Sequence, residues 1–342
     1  MTIAPADSQP NSSIAANHRY KERVFWKRLL RGSAGNIVPV FVCIQLACVL
    51  AWFIFPTEFR YLDWTNVTSM MRAIPPLGIV AIGVGLLMIC GEYDLSIGAT
   101  FVLTPFLMAQ ALGAGIPTIV ALALTFCAAI AIGLTNGLIT VAFKIPSFIT
   151  TLGTMMFLRG LVRFVSDNKG VRFDLGEIGN NALAGAAGFL QMQVIWFLAF
   201  VAAGYLLLVR HRLGNHILMV GGNTKAAVAV GIRADRVKVI CFVLCSLCAC
   251  FAGLMSAARV GAITPAGSVG LELQAIAVCV VGGLSLRGGR GTILGITLGA
   301  ILFYTIQDVL LLVRAPGFYL DMFVGIIIIV AVILNHSKFR RG

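Results

Sequence analysis

Long apolar runs separated by short polar links dominate the chain from residue 36 onward. Ten runs stand out: 36–55, 74–90, 97–112, 116–140, 146–164, 192–209, 239–258, 271–283, 292–313 and 318–334. A helix of about 20 apolar residues crosses the hydrocarbon core of a bilayer. The pattern therefore predicts an all-α polytopic membrane protein with about ten transmembrane helices. The eighth run is short and flanked by Gly270 and Gly282-Gly283, which marks it as a broken or re-entrant segment.

Two links are long. One covers 165–191 and is rich in Asn, Asp and Gly; the other covers 210–238 and is basic. The second carries a short helix signal. Asn223 is placed to cap an N-terminus, 225–230 favours helix, and Gly231 is placed to end it. A helix that short needs a surface to lie on. Residues 1–35 are polar and end in Arg19, Lys21, Arg23, Lys27, Arg28 and Arg31. A cytoplasmic tail is expected there, with an interfacial helix over 20–30 near anionic lipid. The first apolar run ends in Phe55-Pro56 without a small-residue cleavage site, so a cleaved signal is not expected. The chain thus divides into the tail 1–35, a membrane domain 36–335 and a basic C-terminal tail 336–342.

Composition strengthens this reading. Of 342 residues, 59% are hydrophobic and 11% charged, against about 45–50% and about 25% in soluble domains. That excludes a soluble enzyme, a disordered protein and a nucleic-acid-binding domain. The 26 bases outnumber the 13 acids, but they are scattered between apolar runs, as the positive-inside rule predicts. An even number of spans puts both termini on one side. With both cytoplasmic, 18 of the 26 bases fall inside. The outer bases are then Arg60, Arg72, Arg159, Arg163, Lys169, Arg172, Arg259 and Arg314.

Enzyme chemistry finds little support. The dipeptide Gly-Lys of a phosphate-binding loop does not occur, and Gly289-Arg290-Gly291 lacks the third glycine of a dinucleotide fingerprint. No metal or catalytic cofactor is expected in this chain. Cys241, Cys245 and Cys248 form a stripe on one helix face, with Cys250 nearby. A soft-metal cluster and a packing seam both fit that spacing, and packing is the simpler use. Gly133-x-x-x-Gly137 and Gly295-x-x-x-Gly299 read as close helix contacts.

Polar residues among the apolar runs are more telling. Glu92, Tyr93 and Asp94 follow the second run. A charge at helix centre costs about 2.5–3.5 kcal/mol on insertion scales. Such residues face a bundle interior or a wet path, unless they reach the membrane interface. Asn136, Thr151 and Gln274 add neutral hydrogen-bonding groups, and Phe148 and Tyr93 offer aromatic faces or fill the core. Together Glu92, Tyr93, Asp94, Asn136, Phe148, Thr151 and Gln274 are the candidate substrate path, suited to a neutral polyhydroxy solute.

Four stretches resemble one family. The stretch 91–98 (GEYDLSIG) is similar to the "GGIDLSVG" motif of ribose-type permease subunits of ABC importers. Thr151-Leu152-Gly153-Thr154 with Arg159-Gly160 resembles their "TLGT…RG". Gly221-Gly222-Asn223, Ala226-Ala227 and Gly231-Ile232 resemble their cytoplasmic "GGN..AA...GI" loop. The stretch from Glu272 to Gly291 resembles "ELDAIAAVVIGG…GGRG". Glu92 and Tyr93 replace Gly and Ile, and Gln274 replaces Asp, which bears on solute choice. The resemblance implies a permease subunit of the bacterial inner membrane that carries a monosaccharide, pentose-like, or a related sugar or polyol. It implies a second permease copy, a cytoplasmic ABC ATPase subunit that holds ATP and Mg, and a periplasmic solute-binding protein. It also makes Gly222, Asn223, Ala226, Ala227, Gly231 and Ile232 the segment that couples to the ATPase. The rival reading is an ion-coupled secondary transporter, for which only the Glu92/Asp94 turn offers carboxylates.

Overall fold

The computed structural model describes residues 37–339. The basic tail, its expected interfacial helix over 20–30, and residues 340–342 lie outside the described residues. Each of the ten apolar runs falls on a helix. In order these are α1 (Ile37–Ile54), α2 (Trp64–Ile89), α3 (Ile97–Gly113), α4 (Thr118–Phe143) and α5 (Ser147–Ser166). A short β1 (Val171–Arg172), α6 (Gly176–Ala184), β2 (Ala186–Ala187) and β3 (Leu190–Gln191) lead into α7 (Met192–Val209). Then come α8 (Arg212–Gly222), α9 (Thr224–Ala229), α10 (Ala234–Val260), β4 (Ala262–Ile263), α11 (Leu271–Val281), α12 (Ile293–Leu312) and α13 (Phe318–Phe339). Seven of these helices are long and apolar enough to cross a membrane: α1, α2, α4, α5, α7, α10 and α12. The chain is an all-α polytopic membrane protein.

Helix α2 is the spine. Its residues from Pro75 to Ile89 are all buried, because α7, α10, α11 and α12 pack around it. A helix apolar on every side suits that position. Small residues set the approach distances. The Cys241/Cys245/Cys248 face is buried, and a Cβ at Gly83 of α2 would meet Cys248 Cβ at 2.8 Å. The cysteine stripe is therefore a packing seam between α2 and α10. On α4, a Cβ at Gly133 or Gly137 would lie 2.7 Å from Val243 Cα or 2.9 Å from Val239 Cα of α10. Gly295 and Gly299 of α12 press equally on the end of α11.

Helix α7 separates the two ends of the bundle. Its 18 residues rise about 27 Å, with α6 and the strands at one end and α8–α9 at the other. At the first end, β1 pairs antiparallel with β4 (Val171 opposite Ile263) and β2 with β3 (Ala186 opposite Gln191). The loop expected over 165–191 is thus a small folded cap. Asp174 orders it: its carboxylate accepts from Gly176 N at 2.9 Å and Asn180 Nδ2 at 2.8 Å. These bonds, the Gly176 N–H first, hold its carboxyl below the usual range.

Candidate functional site

The turn 90–96 joins α2 to α3, and nearly every residue in it is tied to a different element. Glu92 Oε1 lies 2.5 Å from Lys238 Nζ on α10, with both side chains largely buried. Tyr93 N donates to Ser147 Oγ at 3.0 Å, and its hydroxyl donates to the Leu286 carbonyl in the loop after α11. Asp94 is only 1% exposed. Its Oδ1 accepts from Ser96 N at 2.7 Å and Ser96 Oγ at 2.6 Å. Asn136 Nδ2, reaching over from α4, donates to Ser96 Oγ at 2.8 Å and to Asp94 Oδ2 at 3.4 Å. Leu95 N donates to Thr151 Oγ1 at 3.1 Å. The buried Asp94 carboxyl therefore lies at the N-terminus of α3, tied to it by the Ser96 N–H and hydroxyl.

Five of the seven candidate path residues thus converge: Glu92, Tyr93, Asp94, Asn136 and Thr151. Most of their polar atoms bond to the chain itself, while Asn136 Oδ1 is buried without a hydrogen-bond partner among the described residues. Phe148 stands apart, 53% exposed on α5. Gln274 stands on α11, part-buried. The exposed face of α5 is apolar and wide, carrying Phe148, Leu152, Met156 and Phe157.

A second polar cluster was not foreseen as a site. Arg159 Nη2 of α5 donates to Glu272 Oε1 of α11 at 2.9 Å. Arg159 is the thirteenth of the 20 residues of α5, about 18 Å from the start of the helix. The charge tally counts it with the outer bases although it falls inside the run 146–164, and the structure likewise places it within α5. Glu272 is 7% exposed, and its Oε2 has no hydrogen-bond partner among the described residues. Residues 159 and 272 each lay in a motif noted above, but 113 positions separate them, so only the fold could pair them.

At the other end, Asn223 caps α9, its Oδ1 accepting from Ala226 N at 3.1 Å. Gly231, at φ 88°, closes it: Gly231 N donates to Val228 O and Ile232 N to Ala227 O. The sequence signal for this helix corresponds closely to α9. The preceding α8 carried no such signal. Within the segment, Gly222, Asn223, Ala226 and Gly231 are exposed, while Ile232 is half-buried and Ala227 fully buried. Val228 and Val230, not foreseen, are 55% and 67% exposed. The outward surface is therefore Ala226, Val228 and Val230, and Ala227 anchors it to the core.

This surface connects to the turn through backbone. Gly289 N donates to Ile89 O at 2.8 Å. A Cβ at Gly289 would lie 2.5 Å from Gly222 Cα, and one at Gly288 would lie 2.9 Å from Gly91 Cα. Three chain segments meet here with no side chain between them.

Seven helices able to cross a membrane, joined by buried polar ties, make this a polytopic membrane bundle. Residues 66–332 match the family described as "Branched-chain amino acid transport system / permease component", and the chain belongs to that family. It is similar to the "Ribose import permease protein RbsC" of Bacillus subtilis, 33% identical over 89% of this chain and 92% of that protein. It is 31% identical to the "L-arabinose ABC transporter permease protein AraH" of Azospirillum brasilense, over 91% of each. It is 30% identical to the "Autoinducer 2 import system permease protein LsrC" of Escherichia coli O157:H7, over 85% of each. No solved structure matches the chain. The protein is an ABC importer permease subunit of the inner membrane, and separate subunits hydrolyse ATP.

Proposed function

We propose that this chain forms the membrane path for a monosaccharide or a closely related polyol, as one of two permease copies in an ABC importer. A periplasmic binding protein delivers the solute, and a cytoplasmic ATPase, holding ATP and Mg, works the path. The observation that carries the solute class is the kinship with permeases named for ribose and L-arabinose. Both are neutral pentoses, and the polar groups of the candidate path are mostly neutral.

In this reading the chain crosses the membrane ten times with both termini in the cytoplasm. The domain bounds are then 1–35, 36–335 and 336–342. The end bearing α8–α9 faces the ATPase, and the end bearing α6 and the strands faces the binding protein. ATP closes the ATPase subunits, and Ala226, Val228 and Val230 move with them. Gly221, Gly222, Gly288 and Gly289 pass that motion to the end of α2 and the turn 90–96. ATP shifts the equilibrium only through a different affinity for the two conformers. The exposed face of α5, with Phe148, lines the path or meets the second copy. Glu92, Tyr93, Asp94, Asn136, Thr151 and Gln274 set its polarity.

The test is reconstitution of the full complex. Uptake of ribose or arabinose that needs both ATP and the binding protein is the expected result. Uptake driven by a proton or sodium gradient in their absence favours the secondary-transporter reading instead.

A further inference from the structure

We propose that the Arg159–Glu272 pair is a latch inside the membrane. In the conformation described, it holds the segment 264–270 and the first turn of α11 against α3 and α5, and it opens in each transport cycle. This rests on the reading of the chain as a solute path.

The geometry has four parts. First, the segment before α11 is held by polar ties rather than by apolar packing. It contains Thr264, Pro265, Ala266, Gly267, Ser268, Val269 and Gly270, and its one large apolar side chain, Val269, is 67% exposed. Ser268 Oγ donates to Gly98 O at 2.6 Å, and four residues on, Glu272 meets Arg159. Releasing it breaks a few polar contacts and lifts the partly buried Leu271 off the core, whereas freeing a whole packed helix would expose an entire apolar face.

Second, the pair is incompletely satisfied. Glu272 Oε1 has its arginine, but Oε2 is buried without a donor among the described residues and presses on Gly98 of α3. A buried charge left half-paired is a poor way to gain stability, since apolar replacements of buried ion pairs are often neutral or better. It suits a two-state element, because any conformer that admits a donor to Oε2 competes with the closed one.

Third, the pair reaches the exposed face of α5. Met156, Phe157 and Gly160 beside Arg159 are exposed, and the arginine side chain itself is 24% exposed. The pair is neutral overall, so a closed latch sets up no net field against a neutral solute, and an open one presents a donor and an acceptor to its hydroxyl groups.

Fourth, the latch is within reach of the coupling end. Gly98 lies seven positions after Gly91, and Gly91 abuts Gly288. A shift of the turn 90–96 moves the surface on which Glu272 rests.

The experiment uses the permease–ATPase complex in liposomes, with ribose and erythritol as permeants. Liposome swelling reads passive leak without ATP or binding protein; ATP-driven ribose uptake is measured in parallel. The variants are Glu272→Gln, which removes the charge, and Gly98→Ala, which keeps both charges but puts a Cβ against Oε2. We expect both to assemble and to raise the leak by roughly tenfold over wild type, with ATP hydrolysis less dependent on the binding protein. Assembled variants with wild-type leak and wild-type dependence on the binding protein overturn the latch. So does failure of both variants to assemble, which makes the pair a plain structural tie. Should wild type fail to take up sugar on ATP, the proposed function falls; the swelling comparison still decides the latch.

Discussion

At the scale of single residues, side chains of one type play different parts because of where the fold puts them. Asp94 and Asp174 both accept backbone N–H bonds near a helix start, yet one is in the core and the other in the exposed cap. For Asp94, the neighbour to remove is Asn136. Asn136→Ala takes away a buried donor to Ser96 and Asp94, and it should lower bundle stability by about 1–3 kcal/mol, measured by thermal unfolding in detergent. For Asp174, the lowered carboxyl pKa sets the sign. The contribution of its cap is in full force above the ordinary carboxylate range and fades as pH falls through the lowered value. Hydrogen exchange across α6 should therefore quicken under acid, after correction for intrinsic rates, and Asp174→Ala should show the quickened exchange already at neutral pH. Among single residues, the sequence marked Glu92, Asp94 and Asn136 because polar groups in apolar runs are conspicuous. It did not reveal that Asn136 bonds to Asp94 and Ser96 while Glu92 pairs with Lys238, since that depends on how α4 and α10 pack against the turn.

At the scale of elements, local chemistry was legible and docking was not. The cap, length and end of α9 follow from Asn223 and Gly231 alone. Helix α8 was missed because Arg212–Gly222 mixes His, Asn and Gly with apolar residues and is held by its neighbours. Burial also reassigns the coupling roles. Ala227 faces the core, so a bulky charge there breaks packing; Val228 faces out. Val228→Asp should leave the complex folded and cut ATP-driven uptake at least roughly tenfold, about 1.4 kcal/mol of lost coupling. Uptake at wild-type rate would remove α9 from the coupling surface. On α4, Gly133→Leu should force that helix off α10 and cost about 1–3 kcal/mol or more through overpacking, read as a lowered Tm.

At the scale of the molecule, the ten apolar runs gave up the architecture because lipid demands continuous apolar helices with their backbone bonds satisfied internally. Their arrangement around α2 was beyond reach, since apolar runs facing lipid and apolar runs facing protein read alike. The charge tally gave an orientation and counted Arg159, which lies inside the run 146–164, with the outer bases; that it pairs with Glu272 depends on the fold alone. Reporter fusions at Asn180 and Asn223 should report opposite sides of the membrane. The measurement that tests the whole account most directly is sugar uptake by the purified permease, with and without its ATPase and binding protein, in sealed liposomes. The account predicts accumulation against a gradient only when ATP and both partners are present; accumulation by the permease alone on an ion gradient would contradict it.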